Sequence, residues 1–571
     1  MSDQDTTSSS SGVAPDPAKP PPPDHVNVAA FLADLAESQP DTLAVAVAEG
    51  RGSDGSARYA ELTARELHER SDRIAHALVD IGIGPGVRTI LMVKPSLDFF
   101  ALTFAMLKAG AVPVMVDPGM GRDNLGECID QAEPEAFVGI PKAHIARIAL
   151  GWGKRTLRTK VTVGRRLFWG GPTLAALEAR APSTPFPILQ PDPEQTAAIL
   201  FTSGSTGVPK GVVTPFRVFA AQVKVLRDVY GIRPGERDLA TFPLFALFGP
   251  ALGMASVVPD MDASRPGEAD PERLFEAFQD YECTTLFASP ALIDKLGRHC
   301  VSKGLQLTSL RRAISAGAPA SSDSLERFQR CLPSGVEVLT SYGATESLPV
   351  SVLGSRTILA ETRDITDSGG GVCVGPPIPG MEVRIVPIRD RAIETWSDVP
   401  ALPDGEIGEI TVSGPVVTSS YFQQPGATQR AKIRGSQGGV WHRMGDVGYL
   451  DKQGRLWMCG RKGHRVQTDM GTMYTIPCEA VFNTHPGVRR TALVGVGPAG
   501  EATPVLCVER NAGGKMDPED LMQELLGLGQ QHEHTRAIVT MLYHPSFPVD
   551  VRHNAKIFRE KLAKWAAREL G

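Results

Sequence analysis

No stretch of about 18 uncharged apolar residues occurs in this sequence, so nothing in it reads as a membrane-spanning helix. The nearest approach, Phe99 to Val116, is interrupted by Lys108 and Gly110 and reads as a helix followed by a strand. Cysteine is sparse: eight residues are scattered from Cys128 to Cys507 with no C-x-x-C pair. This spacing excludes thiolate metal sites and argues against a disulfide framework. Reduced, mostly buried thiols in a cytoplasmic protein are the simplest reading. The twelve histidines form no H-E-x-x-H or related metal pattern. The net charge of −5 provides no global basic field, so nucleic acid is not an expected partner. Residues 1–24 lack an apolar signal core, are rich in Ser, Asp and Pro, and end in Pro20-Pro-Pro-Pro23. Such a composition cannot bury a core and is expected to be a disordered tail.

What remains is ordinary globular material: 571 residues, 42% hydrophobic and 22% charged, enough for several domain-sized units. Helical and strand patterns alternate from Val26 onward. Val28 to Ala36 has helical spacing, Thr42 to Val47 reads as a strand, and Tyr59 to Ile83 contains a long amphipathic helix. Its apolar stripe is Leu67, Ile74, Ala75, Leu78 and Ile81. Arg88 to Val93 and Val112 to Val116 read as buried strands. This alternation predicts α/β layers with largely parallel sheets. Residues 151–170 differ: six Lys and Arg cluster beside Leu167, Phe168 and Trp169. The segment reads either as a solvated basic insertion or as a docking surface for a partner or anionic lipid.

The most informative stretch is Phe201-Thr-Ser-Gly-Ser-Thr-Gly-Val-Pro-Lys210, between the apolar runs 197–200 and 211–214. Gly204 and Gly207 allow close backbone approach to a polyanion. Exposed N–H groups, the hydroxyls of Thr202, Ser203, Ser205 and Thr206, and the Lys210 ammonium form a phosphate cradle. A Walker-type loop is excluded. That motif needs Gly-Lys-Ser/Thr opening a helix, whereas Pro209 precedes this lysine, Gly211 follows it, and the exit reads as a strand. Downstream stand Ser315-Ala-Gly317-Ala318-Pro319, Tyr342-Gly343-Ala-Thr345-Glu346, Met444-Gly-Asp446-Val-Gly-Tyr-Leu-Asp451, Cys459-Gly-Arg461-Lys-Gly-His464 and His553-Asn-Ala-Lys556-Ile-Phe-Arg559.

Together these motifs resemble the adenylate-forming superfamily of acyl-CoA synthetases, luciferases and nonribosomal adenylation domains. The matched motifs span residues 201–559. The resemblance implies a large N-terminal domain of layered α/β sheets with a β subdomain, residues 25–460. A small mobile α+β C-terminal lid, residues 461–571, is implied to follow. It also implies ATP and Mg²⁺ as cofactors. Gly317, Ala318 and Pro319 would lie flat against adenine, and Tyr342 would offer a stacking face beside Gly343. Thr345 would reach the α-phosphate, and Glu346 would give hard oxygen to the metal. Asp446 would accept from the ribose hydroxyls, Arg461 would reach ribose or phosphate, and Lys556 would be the lysine of the adenylation step. Two positions depart from the superfamily pattern: Gly463 stands at the hinge pivot, and Ala555 replaces a glycine beside Lys556. A third, Ala246, replaces a frequent histidine in the apolar run Phe242 to Met254 and suggests a wider, apolar pocket mouth.

The wording of Pro243 to Met254, Val258 to Asp262 and Ser315 to Pro319 resembles, more narrowly, the β-lactone synthetases of bacterial long-chain olefin biosynthesis. That resemblance implies activation of a long-chain 2-alkyl-3-hydroxyalkanoic acid, whose own 3-hydroxyl then displaces AMP. It also implies neighbouring enzymes: a thiolase-like condensing enzyme, a reductase and an α/β-hydrolase-like decarboxylase. At the level of the motifs, a long-chain acyl-CoA ligase and an acyl-AMP ligase remain open alternatives.

Overall fold

A computed structural model describes residues 25–116, 120–202, 209–435, 438–511, 516–549 and 557–571, with Arg122, Asp123, Thr202, Pro243, Leu244 and Asp398 described in their backbone only. The disordered tail expected over residues 1–24 lies outside these.

Two large sheets carry the first two-thirds of the chain. One has eight strands, six of them in consecutive parallel pairing, with antiparallel strands Ala57–Thr63 and Ser347–Gly354 at its two edges. The second has seven strands, and Lys210–Pro215 pairs antiparallel with Thr196–Thr202 near one edge. Their continuous apolar runs reflect helices covering both faces. Leu97–Ala109, for example, is buried over nearly its whole surface, and Phe100 and Phe104 anchor the main core. Against it packs Ala64–Asp80, which begins with reciprocal bonds between Thr63 and Glu66 that satisfy otherwise unpaired N–H groups. Leu67, Ile74, Ala75 and Leu78 are fully enclosed, as the stripe predicts, whereas Ile81 lies past the helix end and is half-buried. Lys108, which breaks the apolar run in the sequence, is itself buried. Its ammonium donates to Asp72 at 2.6 Å, and burial pushes its pKa down to about 8.

A third, wholly antiparallel sheet is built from Val372–Gly375, Glu382–Val386, Gly408–Ser413, Lys432–Arg434, Val440–Leu450 and Leu456–Arg461. The chain closes with a three-stranded sheet, Val488–Val496, Thr503–Arg510 and Thr540–Tyr543, packed by Thr475–Asn483, Pro518–Gln530 and Arg559–Glu569. Among the described residues no helix is long and apolar enough to cross a membrane. All eight cysteines are free and buried.

Gly448 shows how tightly the third sheet is built: a Cβ there would lie 2.1 Å from the Trp457 carbonyl oxygen of the adjacent strand. Backbone cannot yield as a side chain can. Gly448→Ala is therefore expected to cost about 1–3 kcal/mol, read as a lowered thermal midpoint. An unchanged midpoint would show that the strand pair can spread at no cost.

Candidate active site

Three sheets converge at one place, each contributing a different side chain. Tyr342 lies in Val338–Ala344 of the eight-stranded sheet, and Asp446 lies in Val440–Leu450 of the antiparallel sheet. The Tyr342 hydroxyl donates to Asp446 Oδ2 at 2.7 Å. Arg461, the register partner of Asp446 on the next strand, places Nη1 3.0 Å from Asp446 Oδ1. Both groups respond to the enclosure. Burial, then the Asp446 charge, holds the Tyr342 phenol well above its usual pKa, and the Asp446 charge holds the Arg461 guanidinium more firmly protonated.

Glu346 sits in the turn between Val338–Ala344 and Ser347–Gly354, and Thr345 precedes it there. The turn is close-packed, since a Cβ on Gly343 would lie 2.7 Å from the Ser347 carbonyl oxygen. Glu346 Oε1 accepts from the Tyr421 hydroxyl at 2.7 Å, and its carbonyl accepts from Thr418 N and Oγ1 at 2.9 and 3.1 Å. Tyr421 belongs to the short strand Ser420–Tyr421, which pairs with Lys210–Pro215, so this contact joins the seven-stranded sheet to the Glu346 turn. The Lys210 ammonium lies 5.2 Å from the Tyr421 ring centroid, within cation–π range. Gly317 follows strand Arg312–Ala316 at φ +95° and leads into Ala318 and Pro319. Ala316 is paired with Ser341, which brings this loop beside Tyr342.

The structure thus gathers Lys210, Gly317, Tyr342, Gly343, Thr345, Glu346, Asp446 and Arg461 around the ends of parallel strands, where open α/β sheets commonly bind ligands. Ser203, Gly204, Ser205, Thr206, Gly207 and Lys556 lie outside the described residues, as does the side chain of Thr202. Ala246, expected at a pocket mouth, is 1% exposed and packs in the main core, where its carbonyl accepts from Ser256.

Sequence patterns missed Tyr421, Thr418 and Lys432. The Lys432 ammonium is buried, donates to the Thr418 carbonyl at 2.6 Å and lies 6.0 Å from the Tyr421 ring. Burial pushes its pKa down to about 7, with the Glu346 charge opposing the shift and Arg217 adding to it. Nothing in the local pattern distinguishes this lysine from a solvated one. Only the pairing of Lys432 with His442 across strands turns it inward.

The chain belongs to the family of AMP-binding enzymes, whose pattern matches residues 32–422. Within that class it is 51% identical over 551 residues to the olefin beta-lactone synthetase of Stenotrophomonas maltophilia (strain K279a), covering 95% of this chain and 98% of that protein. It is 50% identical over 550 residues to the olefin beta-lactone synthetase of Xanthomonas campestris pv. campestris, with the same coverage. The fold is also that of the amide bond synthetase McbA from Marinactinospora thermotolerans, at TM-score 0.76 and 24% identity over 94% of this chain and 99% of that one.

The Lys432 shift has a sign that can be checked. The folded chain releases this proton near pH 7, the unfolded chain near 10.5. Between those values the unfolded state binds more protons, so stability rises with pH; below about 7 the full cost of the buried charge remains. Lys432→Met removes the term. Thermal midpoints measured from pH 7 upward should therefore climb less steeply in the variant than in the parent. Parallel curves would show that this ammonium does not titrate there.

Proposed function

We propose that this chain uses ATP to activate a long-chain 2-alkyl-3-hydroxyalkanoic acid and closes it to a β-lactone. The observation that carries this reading is identity of about one half, over almost the full length, to two olefin beta-lactone synthetases. In the first step a carboxylate oxygen attacks the α-phosphorus, the bond to the β-phosphate breaks and diphosphate leaves. In the second the 3-hydroxyl oxygen attacks the acyl carbon, its proton is lost and AMP leaves. Both steps ask for positioning and charge stabilisation rather than a covalent protein nucleophile. A tethered hydroxyl gains a large effective molarity, which works against the strain of a four-membered ring.

Each residue's part follows from its chemistry. Gly317, Ala318, Pro319 and Tyr342 with Gly343 cradle the base, and Asp446 and Arg461 hold the ribose. Thr202, Ser203, Gly204, Ser205, Thr206, Gly207 and Lys210 cradle the β- and γ-phosphates, and Thr345 reaches the α-phosphate. Lys556 offsets the negative charge that builds up as carboxylate meets phosphate. Among the described residues no group of three or more His, Cys, Asp or Glu could hold a metal. The single hard carboxylate of Glu346 fits an ion bound mainly by phosphate oxygens, as Mg²⁺ is. When bound, that ion would neutralise phosphate charge. Tyr421, by holding Oε1, orients the carboxylate for it.

We further assign residues 25–460 to an adenylation domain and 461–571 to a lid that turns about Gly463. The contacts on either side of that glycine are unequal, which supports a pivot there. Before it, Lys462 donates at 3.0 Å to Glu409, whose side chain is 1% exposed. After it, Arg465, itself 10% exposed, pairs with Asp390, whose side chain is 75% exposed. The eight unpaired cysteines fit a cytoplasmic setting. The thiolase-like, reductase and hydrolase-like enzymes of an olefin route are the proposed neighbours.

Purified chain, ATP, Mg²⁺ and a 2-alkyl-3-hydroxy acid, with and without CoA, provide the test. A strained lactone carbonyl formed without CoA is the expected result. A product formed only with CoA, as thioester, would make the chain an acyl-CoA ligase, and a released adenylate would make it an acyl-AMP ligase. Lys556→Ala is expected to lower adenylate formation by at least ~100-fold while leaving ATP binding within a few-fold. Undiminished adenylation would remove Lys556 from the reaction.

A further inference from the structure

Residues 136–177 contain eight Lys and Arg and no Asp or Glu, in a chain whose net charge is −5. Six of the eight cations are exposed: Lys142, Lys154, Arg155, Arg158, Arg165 and Arg166. The same 42 residues hold five of the eleven exposed large apolar side chains among the described residues. Ile145, Ile148 and Leu150 lie on the helix Pro141–Leu150, and Leu167 and Phe168 lie on the loop that follows strand Thr159–Thr162. Phe168 is 76% exposed, an unusual position for that side chain.

The loop is fastened to the helix, which fixes the outward direction of Phe168. Trp169 is buried and stacks on His144 of the helix, with ring centroids 5.0 Å apart and planes 10° from parallel. Its indole N–H donates to Thr162 Oγ1 at 2.8 Å. Arg166 donates to the Gly171 carbonyl at 2.7 Å. At Gly171, φ is +79° and a Cβ would lie 2.3 Å from the Lys160 carbonyl oxygen, so the return of the loop requires glycine. One large aromatic is thus spent on anchoring, and its neighbour is left facing solvent. Strand Thr159–Thr162 is an edge strand, and four strands separate it from Lys210–Pro215. A surface bound here leaves the nucleotide site clear.

We propose that the helix Pro141–Leu150 and the loop 164–171 form a docking face for an anionic lipid bilayer. Phe168, Leu167 and the exposed isoleucines enter the boundary between headgroups and acyl chains, while the basic residues meet the phosphates. Within residues 136–177 the charge is of one sign, with no carboxylate in the helix or the loop to set a register against a protein partner. Apolar tips among cations match an anionic bilayer surface better than a polar, hydrogen-bonded interface. The inference does not depend on which acid is activated.

The full-length chain is mixed with vesicles of phosphatidylcholine alone or with about 30% phosphatidylglycerol and sedimented. Binding is expected only to the anionic vesicles, and it should weaken steeply as salt rises toward about 0.5 M. Phe168→Asp, and Arg165→Glu together with Arg166→Glu, should each weaken vesicle binding by about tenfold or more. ATP–diphosphate exchange with a water-soluble acid should stay at the parent level in both. Failure to sediment, equal binding to neutral vesicles, or variants that sediment like the parent would overturn the proposal. So would capture of an acidic protein by this face without vesicle binding, which would reassign it to a protein interface.

Discussion

The contact on which the site depends is the buried carboxylate of Asp446, held by the Tyr342 hydroxyl on one oxygen and the Arg461 guanidinium on the other. An uncompensated carboxylate at 2% exposure would be expensive. A neutral phenol and a cation from two different strands together satisfy it. Because Tyr342 belongs to one sheet and Asp446 and Arg461 to another, the same contact fixes the angle at which the sheets meet. Tyr421 repeats the device on the other side: its strand belongs to the seven-stranded sheet, and its hydroxyl reaches Glu346. These polar bonds, directional where apolar packing is not, add register to sheets that also share the apolar cluster of Tyr342, Val350, Met444 and Leu456.

The cations form a second pattern. Lys210 and Lys432 both lie near the Tyr421 ring, Arg461 lies against Asp446, and Arg217 donates to the Val417 carbonyl beside Thr418. Arg217 is balanced by Glu194 at 2.9 Å, which leaves Lys210, Lys432 and Arg461 facing Glu346 and Asp446, an excess of positive groups over carboxylates. A polyphosphate entering such a region restores neutrality, and its binding energy is drawn partly from relieving repulsion among groups already held in place. Preorganisation of this kind is bought with stability, as the depressed pKa of Lys432 shows.

Much of this was legible in the chain itself. The strands on either side of residues 203–208 and the helix that carries Leu67 to Leu78 have strong local patterns and are found as read. Family motifs identified Tyr342 and Asp446 separately but could not indicate that they bond to each other, since 104 residues separate them. Lys432 and Tyr421 were illegible because their importance comes wholly from pairing across strands. Lys108 marks, as read, the end of a helix before a strand, but its charge is buried there, because Asp72 one helix away compensates it. Ala246 is enclosed in the main core beside the stacked pair Phe245 and Phe287.

The division of labour between polar and apolar contacts also explains why the basic segment 136–177 can differ so much from the rest without disturbing the site. Its inner side is ordinary core: Phe137 and Val161 are fully enclosed, and Trp169 and His144 seal the edge. Four intervening strands at about 4.8 Å each separate that edge from Lys210–Pro215, and exposed charges are screened through solvent beyond about 8 Å. The positive field of the outer face is therefore spent locally, on whatever approaches that edge. A surface so placed is free to vary in charge without touching the site, whereas Arg461 is not, because it lies 3.0 Å from Asp446.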